Sequence, residues 1–350
     1  MDILILVLAF VVILMGAELF TNGIEWFGRK LGLAEGAVGS VLAAVGTALP
    51  ETMIPIIAIL FASGEAANEV GVGAILGAPF MLGTLAMFVT GVAVLVVARG
   101  RTTGDVMRVD TVVLAHDIRY FAIAYAIAIG AAFLPLEPVA LKWIVAVVLI
   151  GIYVWYVKGH FEADPSVDLE DLAPLRFRHL DPAGHPDDPA TPRLRVVNLQ
   201  VLAALGLIVV GAVFFVDAVE HLATNFGLDG ALLALVVAPI ATELPEKFNS
   251  VIWVRQGKDT LAMGNITGAM VFQSTIPTVV ALLFASSNWV VAPGSYVAFA
   301  SAGIAFLSSA FVFIPMARRG VLRGRGLLVG GAFYLAYLAL VIAAMSGAFA

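Results

Sequence analysis

Ten apolar runs, each long enough to cross a bilayer, dominate this sequence and restrict it to few folds. They fall at roughly 3–27, 35–62, 70–98, 118–135, 138–157, 197–223, 229–255, 261–286, 292–315 and 327–348. A spanning helix needs about 20 mainly apolar residues, and its backbone polar groups must be satisfied within the segment. Composition agrees, since 61% of the 350 residues are hydrophobic and only 13% are charged. A soluble domain carries roughly 25% charge. The apolar excess has too little interior to hide in, so lipid must be the solvent for most of the surface. The chain has no cysteine, which excludes a disulfide framework and a thiolate metal site. The first 28 residues lack the basic start and small-residue cleavage signal of a secretory leader, and read as a retained first span.

Basic residues give an independent check on the span count, because loops on the cytoplasmic side accumulate Lys and Arg. Seventeen of the 19 fall in alternate loops: Arg29/Lys30, the group Arg99 to Arg119, the linker after span five, Arg255/Lys258, and Arg318 to Arg325. The loops 63–69, 224–228 and 287–291 on the other side contain none. Only Lys142 and Lys247 remain, so ten spans with both termini outside is the expected topology. The longest polar break, 158–196, is rich in Pro and Asp and reads as a flexible cytoplasmic linker. His160, His179 and His185 lie in it, and at that spacing they argue against a metal sensor.

An internal repeat runs at a constant offset of 195. Gly16-Ala17 matches Gly211-Ala212, Phe20 matches Phe215, and Glu25 matches Glu220. Thr47-x-Leu49-Pro50-Glu51 matches Thr242-x-Leu244-Pro245-Glu246. Each copy opens a block of five spans, and five is odd, so the second block enters the membrane from the opposite side. The predicted fold is all-α, with ten transmembrane helices in two inverted five-helix repeats, 1–157 and 197–350, joined by the linker 158–196. Such repeats place their substrate site at the repeat interface near the bilayer midplane.

The strongest chemical signal is Gly46-Thr47-Ala48-Leu49-Pro50-Glu51 in span two with Ala241-Thr242-Glu243-Leu244-Pro245-Glu246 in span seven. Thr and Glu four apart share a helix face. The proline removes a backbone donor and displaces the carbonyl four residues earlier, at Gly46 or Ala241, so helices 2 and 7 are expected to be broken. A freed carbonyl, a hydroxyl and a carboxylate are hard oxygen ligands, suited to Ca²⁺ or Na⁺. Paired structural glutamates are the bland alternative, but two repeated carboxylates in apolar runs are too costly to be incidental. One span later, Gly73 to Pro79 pairs with Gly264 to Met270, followed by Gln273. Its G-x-x-x-G spacing is explained by close helix packing. Asn265, Thr267 and Gln273 exceed what packing requires, and Gln273 is the best ligand candidate among them. Glu18, Asn22 and Glu25 are expected near span ends, paired locally. Lys247 adjoins Glu246 and is free to snorkel, to pair with Glu243, or to serve as a tethered cation. No His/Asp/Ser constellation supports an enzyme.

These residues resemble the sodium/calcium exchanger family of cation/calcium antiporters, with its two repeats of the form G-T-S-x-P-E followed by G-N-x-x-G-S-N-x-x-N/D. The resemblance covers both repeats and, through topology, the whole chain. It implies that Glu51 and Glu246 are the central calcium carboxylates, with Thr47 and Thr242 adding oxygens. The chain departs from the pattern at Ala48 and Glu243 for the first serine, Ala78 and Ala269 for the second, and Leu82 and Gln273 for the final Asn or Asp. Those positions supply sodium ligands in the family, so fewer than three Na⁺ are expected here. The expected function is alternating-access exchange of Ca²⁺ for Na⁺, or for H⁺ if Glu51, Glu243 and Glu246 titrate. The expected setting is the plasma (inner) membrane, with lipid and small cations as partners, no cofactor and no nucleic acid.

Overall fold

The computed structural model describes residues 2–48, 51–52, 55–56, 59–60, 65–162, 172–183, 191–225, 244–292 and 295–346. Within them, helices correspond to all ten apolar runs. They are α1 (Asp2–Leu31), α2 (Ala37–Thr47), α3 (Glu65–Met81, continuing through Leu82–Ala86 to Met87–Val97), α4 (Thr111–Gly130) and α5 (Ala140–Phe161). The second half holds α6 (Leu194–Asn225), α7 (Leu244–Gln256), α8 (Asp259–Phe284), α9 (Tyr296–Arg319) and α10 (Gly324–Leu327, continuing as Val329–Met345). Eight of these are long and apolar enough to cross a membrane, and only part of the runs that hold α2 and α7 lies within the described residues. Those two come from the proline-bearing runs. Pro245 is the second described residue of α7.

Helices α4 and α5 are among those that extend beyond their apolar runs. α4 begins at Thr111, seven residues before the run at 118, because the Asp110 carboxylate accepts from Val112 N (2.8 Å) and Val113 N (3.2 Å). α5 ends at Phe161 and carries His160 into its last turn, buried rather than in a linker. The polar residues in these extensions satisfy one another, which a hydropathy window cannot register. Removing a capping carboxylate costs about 1 kcal/mol. Asp110→Ala is therefore expected to lower the thermal midpoint in detergent modestly, without loss of the folded state.

α8 is the centre of the molecule, buried along almost its whole length, with α2, α3, α4, α5 and α7 packed around it. α1 and α6 pack chiefly on each other. Their contact shows the internal symmetry directly. A Cβ on Gly16 would lie 2.9 Å from Ile208 Cγ1 and 3.2 Å from the Ala204 carbonyl. A Cβ on Gly211 would lie 2.8 Å from Ile13 Cγ1 and 3.2 Å from the Ala9 carbonyl. Gly16/Gly211, Ile13/Ile208 and Ala9/Ala204 are each related by the repeat offset, so the contact is reciprocal, as a two-fold interface requires. Moving up one helix means moving down the other, so equivalent helices run antiparallel and the halves are inverted. The outer faces are apolar and exposed, as at Ile144, Val147, Val154 and Trp155 of α5, consistent with lipid contact.

The side rich in Lys and Arg is tied across the halves. Strands β1 (Val106–Met107) and β2 (Leu322–Arg323) pair antiparallel. The Arg101 guanidinium forms a buried ion pair with Asp259, which also accepts from Arg108 N at 2.7 Å. Glu25 binds Lys258 and accepts from Trp253 Nε1 at 2.8 Å, while Glu18 pairs with Arg176 at 2.8 Å. Glu25 lies within two turns of the end of α1 but Glu18 near its middle, and their partners are distant in sequence rather than local. Residues 172–183 pack against α1 and α6. Asn22 and Trp26 donate to the Ala173 carbonyl, and Gln200 Oε1 accepts from Phe177 N at 2.8 Å. On the opposite side, Lys142 Nζ donates to Ser286 O (2.7 Å) and Trp289 O (2.9 Å) just past the end of α8, where carbonyls lack helical partners.

Candidate functional site

Thr47, in the last turn of α2, and Glu51, beyond its end, both meet α8. Residues 37–43 of α2 are wound as a π-helix, a form common at functional sites, and the α-helical turn ends at Thr47. Glycine makes this meeting possible. A Cβ on Gly264 would come within 2.8 Å of Ser40 Oγ, and one on Gly268 would overlap Ser40 O at 1.9 Å. The two backbones therefore touch. Asn265, Thr267 and Gln273 are carried on this closely packed helix.

Three side-chain hydrogen bonds cross here from one half to the other. Thr47 Oγ1 lies 3.0 Å from the Ala43 carbonyl, to which it donates, and 3.1 Å from Asn265 Oδ1. Gln273 Nε2 donates to Glu51 Oε1 (3.1 Å) and to Thr52 Oγ1 (2.9 Å). Thr47, Glu51, Thr52, Asn265 and Gln273 are all buried. Oxygen-bearing side chains from both halves thus converge at the depth where α2 ends. Gly46 is packed against Phe20 of α1, where a Cβ would come within 2.9 Å of the ring.

Of the sequence-derived candidates, the structure brings Thr47, Glu51 and Gln273 together with Asn265. Ala241, Thr242 and Glu243 lie outside the described residues, as do Leu49 and Pro50. Glu246 falls in the first turn of α7. Lys247, next to it, is buried. The positions that depart from the family pattern, Ala48, Ala78, Leu82 and Ala269, are buried and offer no side-chain oxygen.

Sequence reasoning passed over a second polar cluster nearer the basic side. Asp117 of α4 is fully buried and accepts four hydrogen bonds. Ser40 Oγ (2.7 Å) and Thr267 Oγ1 (2.5 Å) reach its Oδ2, while Tyr156 OH (3.0 Å) and His160 Nε2 (2.8 Å) reach its Oδ1. Tyr156 OH also contacts the Ser40 carbonyl at 3.0 Å. The one available signal was an Asp beside a His at the edge of an apolar run, since its partners lie 39 to 150 residues away.

Comparison with known proteins follows this geometry. The chain matches the sodium/calcium exchanger protein family over residues 1–159 and 197–345, the two halves without the linker. It is 25% identical over 266 residues to the putative antiporter CaxA of Alkalimonas amylolytica, covering 75% of this chain and 74% of that one. It is 26% identical over 249 residues to the inner membrane protein YrbG of Escherichia coli (strain K12), covering 71% and 69%. Among solved structures, the sodium-calcium exchanger NCX_Mj superposes with a TM-score of 0.71 at 16% identity, covering 97% of each chain. That likeness shows a shared fold. With the repeat, the inverted halves and the match over both of them in place, the chain belongs to the sodium/calcium exchanger family.

Proposed function

We propose that this protein is a secondary active antiporter that exchanges Ca²⁺ for Na⁺ by alternating access between its two halves. The observation that carries the reading is the meeting of Thr47 at the end of α2, and of Glu51 beyond it, with Asn265 and Gln273 of α8, a buried oxygen-rich point at the repeat interface. In this reading Glu51 and Glu246 are the central carboxylates. Thr47, Thr242, Glu243 and Gln273 and the carbonyls of Gly46 and Ala241 complete the ligand set. Carrying empty carboxylates through a low-dielectric barrier is costly, and occupancy by Ca²⁺ or by neutralising monovalent ions lowers that cost. This favours exchange over leak. Residues 1–157 and 197–350 act as the two halves, joined by 158–196. In this reading the linker is cytoplasmic and both termini lie outside a plasma membrane, an orientation that the basic loops support.

A proton-coupled variant is supported by the buried Ala48, Ala78, Leu82 and Ala269, which offer no side-chain oxygen where the family pattern carries Ser, Asn or Asp. Tracer Ca²⁺ uptake into proteoliposomes tests both forms, with an outward Na⁺ gradient, an outward H⁺ gradient, or neither. Uptake is expected with the Na⁺ gradient, with a Hill coefficient for Na⁺ below three and a steep dependence on pH. Uptake driven by H⁺ alone assigns the proton as counter-ion. Uptake with neither gradient would make the protein a channel and end the antiporter reading.

A further inference from the structure

The buried cluster around Asp117 is not needed for the exchange site, and its geometry calls for a cation of its own. Three ligand atoms, His116 Nδ1, Asp117 Oδ1 and His160 Nε2, lie within 4.8 Å of one another. His160 Nε2 is 2.8 Å from Asp117 Oδ1 and 3.3 Å from His116 Nδ1. The three atoms therefore surround one small volume. A single proton serves two of them well and leaves the third facing another lone pair. Among the described residues no Lys or Arg touches Asp117, so hydroxyls and imidazole alone hold its charge.

We propose that His116, Asp117 and His160 form a binding site for one transition-metal ion of the Zn²⁺ class, separate from the transport site. Two imidazoles and one carboxylate are the borderline donor set that Zn²⁺ favours, whereas hard oxygen donors suit Ca²⁺ and Na⁺. The surroundings are those of a supported metal site. Ser40, Thr267 and Tyr156 fix the carboxylate from behind, and outer hydrogen bonds of this kind orient metal ligands. Two glycines admit the rings. A Cβ on Gly36 would come within 3.0 Å of His160 Nδ1, and one on Gly159 within 3.1 Å of His116 Nε2. His116 is only half-buried, which leaves an approach for the ion. The ion would bridge α4 and α5 directly, and through Ser40 and Thr267 it would hold the α2–α8 contact.

The test uses tag-free, full-length protein in detergent with saturating Ca²⁺, so that the transport carboxylates are already occupied. Co²⁺ serves as the spectroscopic probe and Zn²⁺ as the competitor. The wild type is expected to bind one equivalent of Co²⁺ with the ligand-field bands of mixed nitrogen and oxygen coordination, and to release it to Zn²⁺. His116→Gln leaves the four hydrogen bonds of Asp117 in place and should weaken binding at least about 100-fold, with Tyr156→Phe weakening it about 10-fold. Zn²⁺ should also raise the thermal midpoint of the wild type. A second readout needs no variant: Zn²⁺ should protect His116 and His160 from diethylpyrocarbonate, located by mass spectrometry. Absence of stoichiometric binding, Co²⁺ affinity unchanged in folded His116→Gln, or unprotected histidines would each overturn the proposal.

Discussion

Replacing Glu51 with glutamine is expected to cut Ca²⁺ counter-transport at least about 100-fold while leaving the protein folded. Two unit charges about 4 Å apart interact by about 4 kcal/mol at an effective dielectric of 20, so a divalent ion and a carboxylate reach about 8 kcal/mol. Losing even a third of that passes the roughly 2.7 kcal/mol of a hundredfold effect. The fold should survive because the amide has nearly the carboxylate's shape. Its oxygen still accepts from Gln273 Nε2, now 3.1 Å from Glu51 Oε1. Tracer flux and the detergent melting midpoint, measured on the same preparation, separate the two effects. Flux at the wild-type rate would remove Glu51 from the site.

Gly268→Ala is expected to be the most damaging methyl group that can be added to this chain's core. The new Cβ would stand 1.9 Å from Ser40 O and 2.5 Å from both Ser40 C and Cα. No side chain can rotate away, since the obstacle is backbone on both sides. Relief requires parting α2 from α8, and with them the Thr47–Asn265 and Glu51–Gln273 contacts. Overpacking costs about 1–3 kcal/mol even where neighbours yield, and here the cost should be at least about 3 kcal/mol. The expected result is loss of the monodisperse species in size-exclusion chromatography. Gly151→Ala, on the exposed face of α5 with nothing described within 4 Å, should be neutral within about 0.5 kcal/mol. Equal behaviour of the two variants would mean that α2 and α8 do not approach as closely as described.

The architecture was legible because its two signals are local and additive. Apolar runs mark spans whatever their partners are, and an odd number of spans per repeat dictates inversion. The reciprocal Gly16–Ile208 and Gly211–Ile13 contacts are the three-dimensional form of the offset of 195 visible in the chain. Half of the candidate site was legible for a similar reason. Thr47 and Glu51 are one helical turn apart, and Gln273 stood out as a polar group in a run that packing alone would have kept apolar. Its contact with Glu51 spans 222 residues, however, and no local pattern encodes that. The Asp117 cluster was missed as a cluster: Thr267 stood out as a polar group beyond what packing requires, but nothing local tied it to Ser40, Asp117, Tyr156 and His160. His160 looked like the start of a polar linker until α5 was seen to carry it inward to Asp117.

The Asp117 cluster belongs to one half only. Its helices α4 and α5 correspond by order to α9 and α10, and neither of those carries a histidine or an acid. In a protein whose halves exchange roles, perfect two-fold symmetry would make the two end states mirror equivalents with equal occupancy. A polar cluster fastened to α2 and α8 on one side alone removes that degeneracy. One orientation becomes the resting state, and each 1.4 kcal/mol of imbalance skews the populations about tenfold. A molecule assembled from two equal copies thereby acquires a preferred direction in which to wait.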